Sequence, residues 1–251
     1  VDFFVNLFKK HKPDMPSGVY SVYQPIIDVA TWDVIGHEAL ARSEKETPVE
    51  MFHKSYKKGT IVSSDFYCME AAVKALPTFP EGQYLFLNIE PPTLKEAFAA
   101  GKEGEMFLKH FRAYSDRIVF ELTESVKRSD FEFIKKGVRF IRALGYRLAL
   151  DDLTEIGAKT LQLASLRPEF LKIDLHLIRG IANNNLNQQI VREMVHLGRM
   201  NGSEMIAEGV ETREDCDFVR NMGIRYSQGY YFAKPGRNPV SFLQPPKDTQ
   251  V

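Results

Sequence analysis

The chain reads as an α/β protein, a modified (β/α)8 TIM-type barrel whose first strand runs antiparallel to its neighbours. Three observations predict this. Six short apolar runs each end in an acid, an amide or a base, helical stretches separate most of them, and only five residues join the first two strands. The runs are GHEAL at 36–40, LFLN at 85–88, VFELTE at 119–124, LALDD at 148–152, FLKID at 170–174 and MIAEGVE at 205–211. Short apolar runs of this kind suit parallel strands buried on both faces. The polar residues at their far ends then fall where α/β proteins carry their chemistry, at the carboxyl ends of the strands.

Residues 1–17 (VDFFVNLFKKHKPDMPS) read as a short amphipathic helix and a Pro-containing linker. The strands VYSVYQPIID at 19–28 and VIGHEALA at 34–41 are joined by VATWD at 29–33. That link is too short for the crossover a parallel pair requires, so the pair is antiparallel. SSDFYCMEAAVKAL at 63–76 opens with a Ser/Asp cap and aligns Phe66, Met69, Ala72, Val73 and Leu76 on one helical face. SDFEFIKKGVRFIRALG at 129–145 carries a capping box, Ser129 with Glu132, and stops at Gly145. NLNQQIVREMVHLGRMNG at 185–202 and ETREDCDFVRNMG at 211–223 repeat the helix-then-Gly pattern, and YSQGYYFAKP at 226–235 makes the eighth strand. A doubly wound open sheet competes for the same pattern, but no Gly-rich phosphate loop follows any strand. The barrel domain is placed at 18–240, with a C-terminal tail at 241–251.

With 44% hydrophobic and 26% charged residues, the 251-residue chain can bury a sizeable core. Its formal net charge of zero argues against a DNA or RNA polymer as partner, though a local phosphate site needs only one or two well-placed cations. Cys68 and Cys216 show neither CxxC nor Cys/His spacing and read as reduced thiols of a cytoplasmic protein. No apolar stretch approaches the length of a membrane span, and no signal-peptide pattern opens the chain. The chain opens on Val1 rather than Met, as expected of a piece cut from a longer protein.

The strand ends collect Glu38, Asn88, Glu121, Glu124, Asp151, Asp152, Lys172 and Glu208. So many carboxylates on one rim repel one another unless a cation sits among them, and divalent metal is the simplest candidate. Hard oxygen ligands without His or Cys point to Mg²⁺ or Mn²⁺ rather than Zn²⁺. Two such ions about 3.5–4 Å apart are the usual device for in-line displacement at phosphorus. Asp151 and Asp152 are adjacent, and at a strand terminus the turning chain lets both reach one site. Lys172 has two readings here: it orients or helps deprotonate an attacking water, or it forms a salt bridge to Asp174 or a neighbouring strand end.

Taken in order, these residues carry a resemblance. The run EAL at 38–40 within GHEALAR is similar to the name-giving motif of the EAL-domain family of cyclic di-GMP phosphodiesterases. The similarity continues through QPI at 24–26, Asn88 of LNIEP, ELTE at 121–124, DD at 151–152, KID at 172–174, AEGVE at 207–211 and QGYYFAKP at 228–235. The resemblance implies that Glu38, Asn88, Glu121 and Asp151 ligate one metal and that Asp152 also engages a second. It implies that Lys172 activates the hydrolytic water and that Glu208 assists metal or water binding. Gln228 then contacts the site from the last strand, Gln24 and Arg42 grip the substrate, and Glu124 anchors the loop after Asp152. The activity implied is metal-dependent hydrolysis of cyclic di-GMP to linear pGpG, with Mg²⁺ or Mn²⁺ as cofactor, Ca²⁺ as inhibitor, a homodimer as the assembly and an upstream sensory domain.

Two segments depart from the family pattern. Where DDFGTGYSSL or a close relative is usual, this chain reads DDLTEIGAKTL at 151–161, and Ser43 stands where a Trp is common, in a shortened stretch RSEKETPVEMF at 42–52. Small flexible residues replaced by Thr154, Glu155 and Ile156 change both the conformation and the mobility of the loop. The departures keep two alternatives beside the enzyme: a receptor that binds cyclic di-GMP and hardly turns it over, and an interaction module that has abandoned the nucleotide.

Overall fold

The structure, a computed structural model, describes residues 13–99, 108, 111–123, 126 and 128–244. Eight strands close into a barrel: β1 (Tyr20–Asp28), β2 (Val34–Arg42), β3 (Tyr84–Asn88), β4 (Ile118–Thr123), β5 (Arg147–Leu153), β6 (Phe170–Ile173), β7 (Glu204–Ala207) and β8 (Tyr226–Ser227). β1 pairs antiparallel with both β2 and β8, and every other neighbouring pair is parallel. The five-residue link therefore does force an antiparallel first strand. Its turn is held by the Asp28 carboxylate, which accepts the Ala30 amide at 2.9 Å.

Inside the barrel, side chains stack in two layers that follow from the two-residue period of a strand. Ile26, Phe86, Val119, Ala149, Phe170 and Ile206 form one buried apolar plug. Two residues further on stand Asn88, Glu121, Asp151, Lys172 and Glu208. In β1 the order is reversed, Gln24 preceding Ile26, because that strand runs the other way. The alternate residues, among them Leu85, Leu87, Phe120, Leu122, Leu148, Leu150, Leu171 and Ile173, pack outward against the helices. One apolar layer thus seals the barrel, and the polar layer is confined to the end where the parallel strands finish.

The helices include α1 (Pro48–Lys58), α2 (Ile61–Val73), α3 (Pro91–Ala99), α4 (Phe131–Ala143), α5 (Ala158–Ala164), α6 (Leu175–Ile178), α7 (Asn185–Asn201) and α8 (Arg213–Asn221). Phe66, Met69, Ala72, Val73 and Leu76 are all buried, as their spacing requires. Two expected caps do not form. α2 begins at Ile61, so Ser63 and Asp65 lie buried within the helix instead of capping it. α4 is preceded by a 3-10 turn over Arg128–Asp130, which moves the N-cap to Asp130 and leaves it without a side-chain cap bond.

The eighth strand is also much shorter than the apolar run at 226–235. After Ser227 the backbone turns against the segment following β7: Val210 donates its N–H to Gln228 O at 3.1 Å, and Tyr231 donates to Val210 O at 3.1 Å. Gly229 is needed there, because a Cβ would overlap the backbone N and O of Val210. The tail then runs under the outside of β2, where Val240 donates its N–H to His37 Nε2 at 3.0 Å and Gln83 Nε2 donates to Ser241 O at 3.4 Å. At the other terminus, Asp14 pairs with Lys58 at 3.0 Å. Residues 1–12 of the expected N-terminal helix lie outside the described residues.

Candidate metal centre at the strand ends

Lys172 stands at the middle of the polar layer, with a fully buried side chain. Its Nζ lies 2.6 Å from Glu121 Oε1, 2.7 Å from Glu208 Oε1, 2.8 Å from Asp151 Oδ1 and 3.4 Å from Glu38 Oε2. The salt-bridge reading of Lys172 is therefore realised with neighbouring strand ends. Asp174 is not the partner: its carboxylate accepts the His176 N–H at 2.7 Å and caps α6. Burial alone would push the Lys172 ammonium down in pKa, but Asp151, Glu121, Glu208 and Glu38 outweigh it and hold the group well above the ordinary lysine range. Burial likewise drives Glu121 and Glu208 well above the usual carboxylate range, and Lys172 only partly offsets it.

Two groups of carboxylates gather here, each with ligand atoms within 4.8 Å of one another: Glu38, Glu121 and Asp151, and Asp151, Asp152 and Glu208. They share Asp151. Both aspartates reach the cluster because the pairing of β5 with β6 shifts register between Leu150 and Leu153 and Asp152 adopts a left-handed φ of 57°. A regular strand would have sent them to opposite faces. Partial burial, then the charge of Asp151, raises the Asp152 carboxyl to about 6.

Asn88 Nδ2 donates to Glu121 Oε2 at 3.5 Å, which brings the Asn88 amide beside the first group. Gln228 Nε2 donates to Glu38 Oε2 at 2.6 Å and to Gln24 Oε1 at 3.0 Å, while Gln24 Nε2 donates to Ala233 O at 3.3 Å. Arg42 donates from Nη1 to Ala41 O at 2.8 Å and lines a cleft of about 400 Å³ together with Asn88 and Asp152. Ten of the eleven expected site residues thus lie in the polar layer or on the cleft beside it. The eleventh, Glu124, lies outside the described residues.

The cleft also brings in two acids that the strand-end pattern does not mark, Asp65 and Glu90. Asp65 is buried, accepts the Glu90 N–H at 2.9 Å, and has its carboxyl raised to about 8 by burial and then by the charge of Glu90. Tyr56 donates to Glu90 Oε2 at 2.5 Å. A signal was present: Asp65 shares the helical face of Met69 and Ala72, an acid on an otherwise apolar stripe.

These residues fit hard divalent cations. The donors are all oxygen, and the buried Glu121 Oε1 and Asp151 Oδ1 make no aligned hydrogen bond despite their charge contacts to Lys172. Closed barrel, all-oxygen carboxylate groups and central lysine together define an α/β barrel with a candidate divalent-cation centre. The model of the EAL domain matches residues 17–235, and the chain belongs to that family.

Among solved structures, Klebsiella pneumoniae BlrP1 in its calcium and cyclic di-GMP complex superposes with a TM-score of 0.79 at 27% identity, covering 93% of this chain and 59% of that one. Its manganese and cyclic di-GMP complex at pH 6 gives a TM-score of 0.77 at 27% identity, over 92% and 60%. The cyclic di-GMP phosphodiesterase PdeF of Escherichia coli (strain K12) is 27% identical over 208 residues, 79% of this chain and 28% of that protein. The probable cyclic di-GMP phosphodiesterase PdeA of the same organism is 28% identical over 174 residues, 68% of this chain and 24% of that protein. The chain spans about a quarter of the length of these curated relatives. No helix among the described residues is long and apolar enough to cross a membrane.

Proposed function

We propose that this chain hydrolyses one phosphodiester of cyclic di-GMP, giving linear pGpG, with two Mg²⁺ or Mn²⁺ ions held by Glu38, Asn88, Glu121, Asp151 and Asp152. The observation that carries the proposal is the pair of carboxylate groups sharing Asp151 around Lys172. When bound, such ions supply Lewis acidity and an activated water. Arg42 binds a substrate phosphate through its planar guanidinium. Lys172 and Glu208 orient the water oxygen toward phosphorus, and as the new P–O bond forms and the bond to the 3′ oxygen breaks, the water's proton passes by way of the Glu208 carboxylate to that oxygen, which leaves as a hydroxyl. Gln228 holds Glu38 in place, Gln24 accepts from the same amide nitrogen and borders the substrate with it, and Glu124 anchors the loop after Asp152. The catalytic unit is the barrel at 18–240, acting in the cytoplasm as a homodimer under an upstream sensory domain. The exposed Ile156 and Leu161 around the altered loop support a contact there.

The test is incubation with cyclic di-GMP and Mn²⁺ or Mg²⁺, with pGpG followed by chromatography and Glu38→Ala as the control. Product from the wild type alone supports hydrolysis. Tight binding without product favours the receptor reading, which draws on the exposed Thr154, Glu155 and Ile156 beside Asp152. Neither binding nor product leaves the interaction module.

A further inference from the structure

Lys172 Nζ stands among acids of both carboxylate groups. Its Nζ contacts Glu121 and Glu38 from the first group, Glu208 from the second, and Asp151, which belongs to both. The three shortest contacts, 2.6 to 2.8 Å, are only slightly longer than the oxygen distances of a hard divalent ion, about 2.0–2.6 Å. The ammonium is fully buried, and its three shortest contacts all go to carboxylate oxygens. An ammonium and a divalent ion that draw on the same buried carboxylates repel each other, and the negative charge an acid gives to one weakens its hold on the other.

We propose that Lys172 is the internal counter-ion of the metal-free site and competes with both metal positions, so that the two ions load cooperatively. The reasoning is geometric. The first ion to enter draws on the charge of Asp151, and with it on that of either Glu38 and Glu121 or Glu208, and so loosens their hold on Nζ. Once the hold of Asp151 on the ammonium is loosened, the second group is already released from part of its pairing, and the second ion meets less competition. The cost of separating the lysine from its acids is then borne mainly by the first ion, which is the condition for positive coupling between two sites. The same lysine holds the acids together without metal, so the barrel keeps its shape while empty.

This inference rests on the reading that these carboxylates bind metal, but not on hydrolysis. The experiment is a Mn²⁺ titration of metal-stripped protein, free Mn²⁺ being followed by electron paramagnetic resonance, on the wild type and Lys172→Met. The wild type is expected to bind two ions along a sigmoidal curve. Lys172→Met is expected to bind its first ion at least tenfold more tightly, along a curve without cooperativity. Its metal-free melting temperature should fall, with Mn²⁺ restoring it. A second measurement uses the wild type alone, which covers the case of a variant that folds only with metal: in a Mg²⁺ titration of ¹³C-lysine-labelled protein, the resonance that Lys172→Arg removes should shift with the first ion. Independent, hyperbolic binding by the wild type, or affinity unchanged or weakened in Lys172→Met, overturns the proposal. No Mn²⁺ binding by either protein overturns it together with the metal reading, whereas lysine-dependent loading without pGpG supports it and overturns only hydrolysis.

Discussion

Gln228, one residue past the last strand, donates its amide N–H to the Glu38 carboxylate on the second strand at 2.6 Å. The bond spans the antiparallel first strand, whose Gln24 accepts from the same nitrogen. The same Glu38 Oε2 lies 3.4 Å from Lys172 Nζ, so the amide holds the oxygen that faces the cluster. Outer hydrogen bonds of this kind typically tune metal affinity by about 10–100-fold. Gln228→Ala is therefore expected to weaken Mn²⁺ binding by about that factor, measured by calorimetry. Affinity equal to the wild type would show that Glu38 is held by its neighbours without the amide.

A pH dependence of stability follows from His37. It is fully buried beneath the tail, burial lowers its pKa to about 4, and its Nε2 lone pair accepts the Val240 N–H. An unfolded histidine takes its proton near 6.5. Between these values the unfolded chain binds more protons, so stability is full above about 6.5 and is lost as pH falls toward 4, at most about 1.4 kcal/mol per pH unit. In urea unfolding at pH 7 and pH 5, His37→Gln should lose less stability on acidification than the wild type. Identical losses would remove His37 from the account.

The approach of Gly229 to Val210 sets a packing test. A methyl there overlaps backbone atoms rather than a movable side chain. Gly229→Ala should cost about 1–3 kcal/mol or more, the range of overpacked sites. Gly82→Ala, which has a φ of 83° but open space around it, should cost only about 1–2 kcal/mol from backbone strain. Melting temperatures compare the two directly. Equal costs would mean that β8 does not close on β7 as described.

The altered loop gives a kinetic test. Asp152 is held in a left-handed conformation at the start of an exposed stretch, Thr154–Ile156. Replacing Thr154, Glu155 and Ile156 with Gly, Ser and Gly should raise kcat about tenfold, a barrier change near 1.4 kcal/mol, if the loop limits turnover. An unchanged kcat assigns the loop no part in the rate.

Ca²⁺ in place of Mg²⁺ should inhibit, because the larger ion tolerates looser geometry at the paired site. Rates of pGpG release with each ion, at equal concentration, decide the point. Full turnover with Ca²⁺ contradicts a tightly positioned pair.

The barrel was legible because its strands combine two periods of information: an apolar plug residue and, two positions on, a residue that can hold charge. Phe86 and Asn88, Val119 and Glu121, Ala149 and Asp151, and Phe170 and Lys172 all show it. What escaped the sequence depends on backbone paths that periodicity does not encode. The run at 226–235 is apolar enough for a long strand, yet contact with Val210 ends β8 at Ser227. Ser63 and Asp65 look like caps, but the preceding turn of helix buries both. Asp65 and Glu90 meet only because α2 and the end of β3 pack side by side. The register shift that lets Asp151 and Asp152 share a site is likewise a property of the β5–β6 pairing, not of the two-letter motif.

The acids around Lys172 are expected to support catalysis and not binding alone. The most direct measurement counts pGpG released per protein molecule from excess cyclic di-GMP with Mn²⁺, for the wild type and Glu38→Ala. Many turnovers are expected for the wild type and none above background for the variant. Stoichiometric binding of cyclic di-GMP with no pGpG from the wild type, or equal turnover by Glu38→Ala, would contradict it.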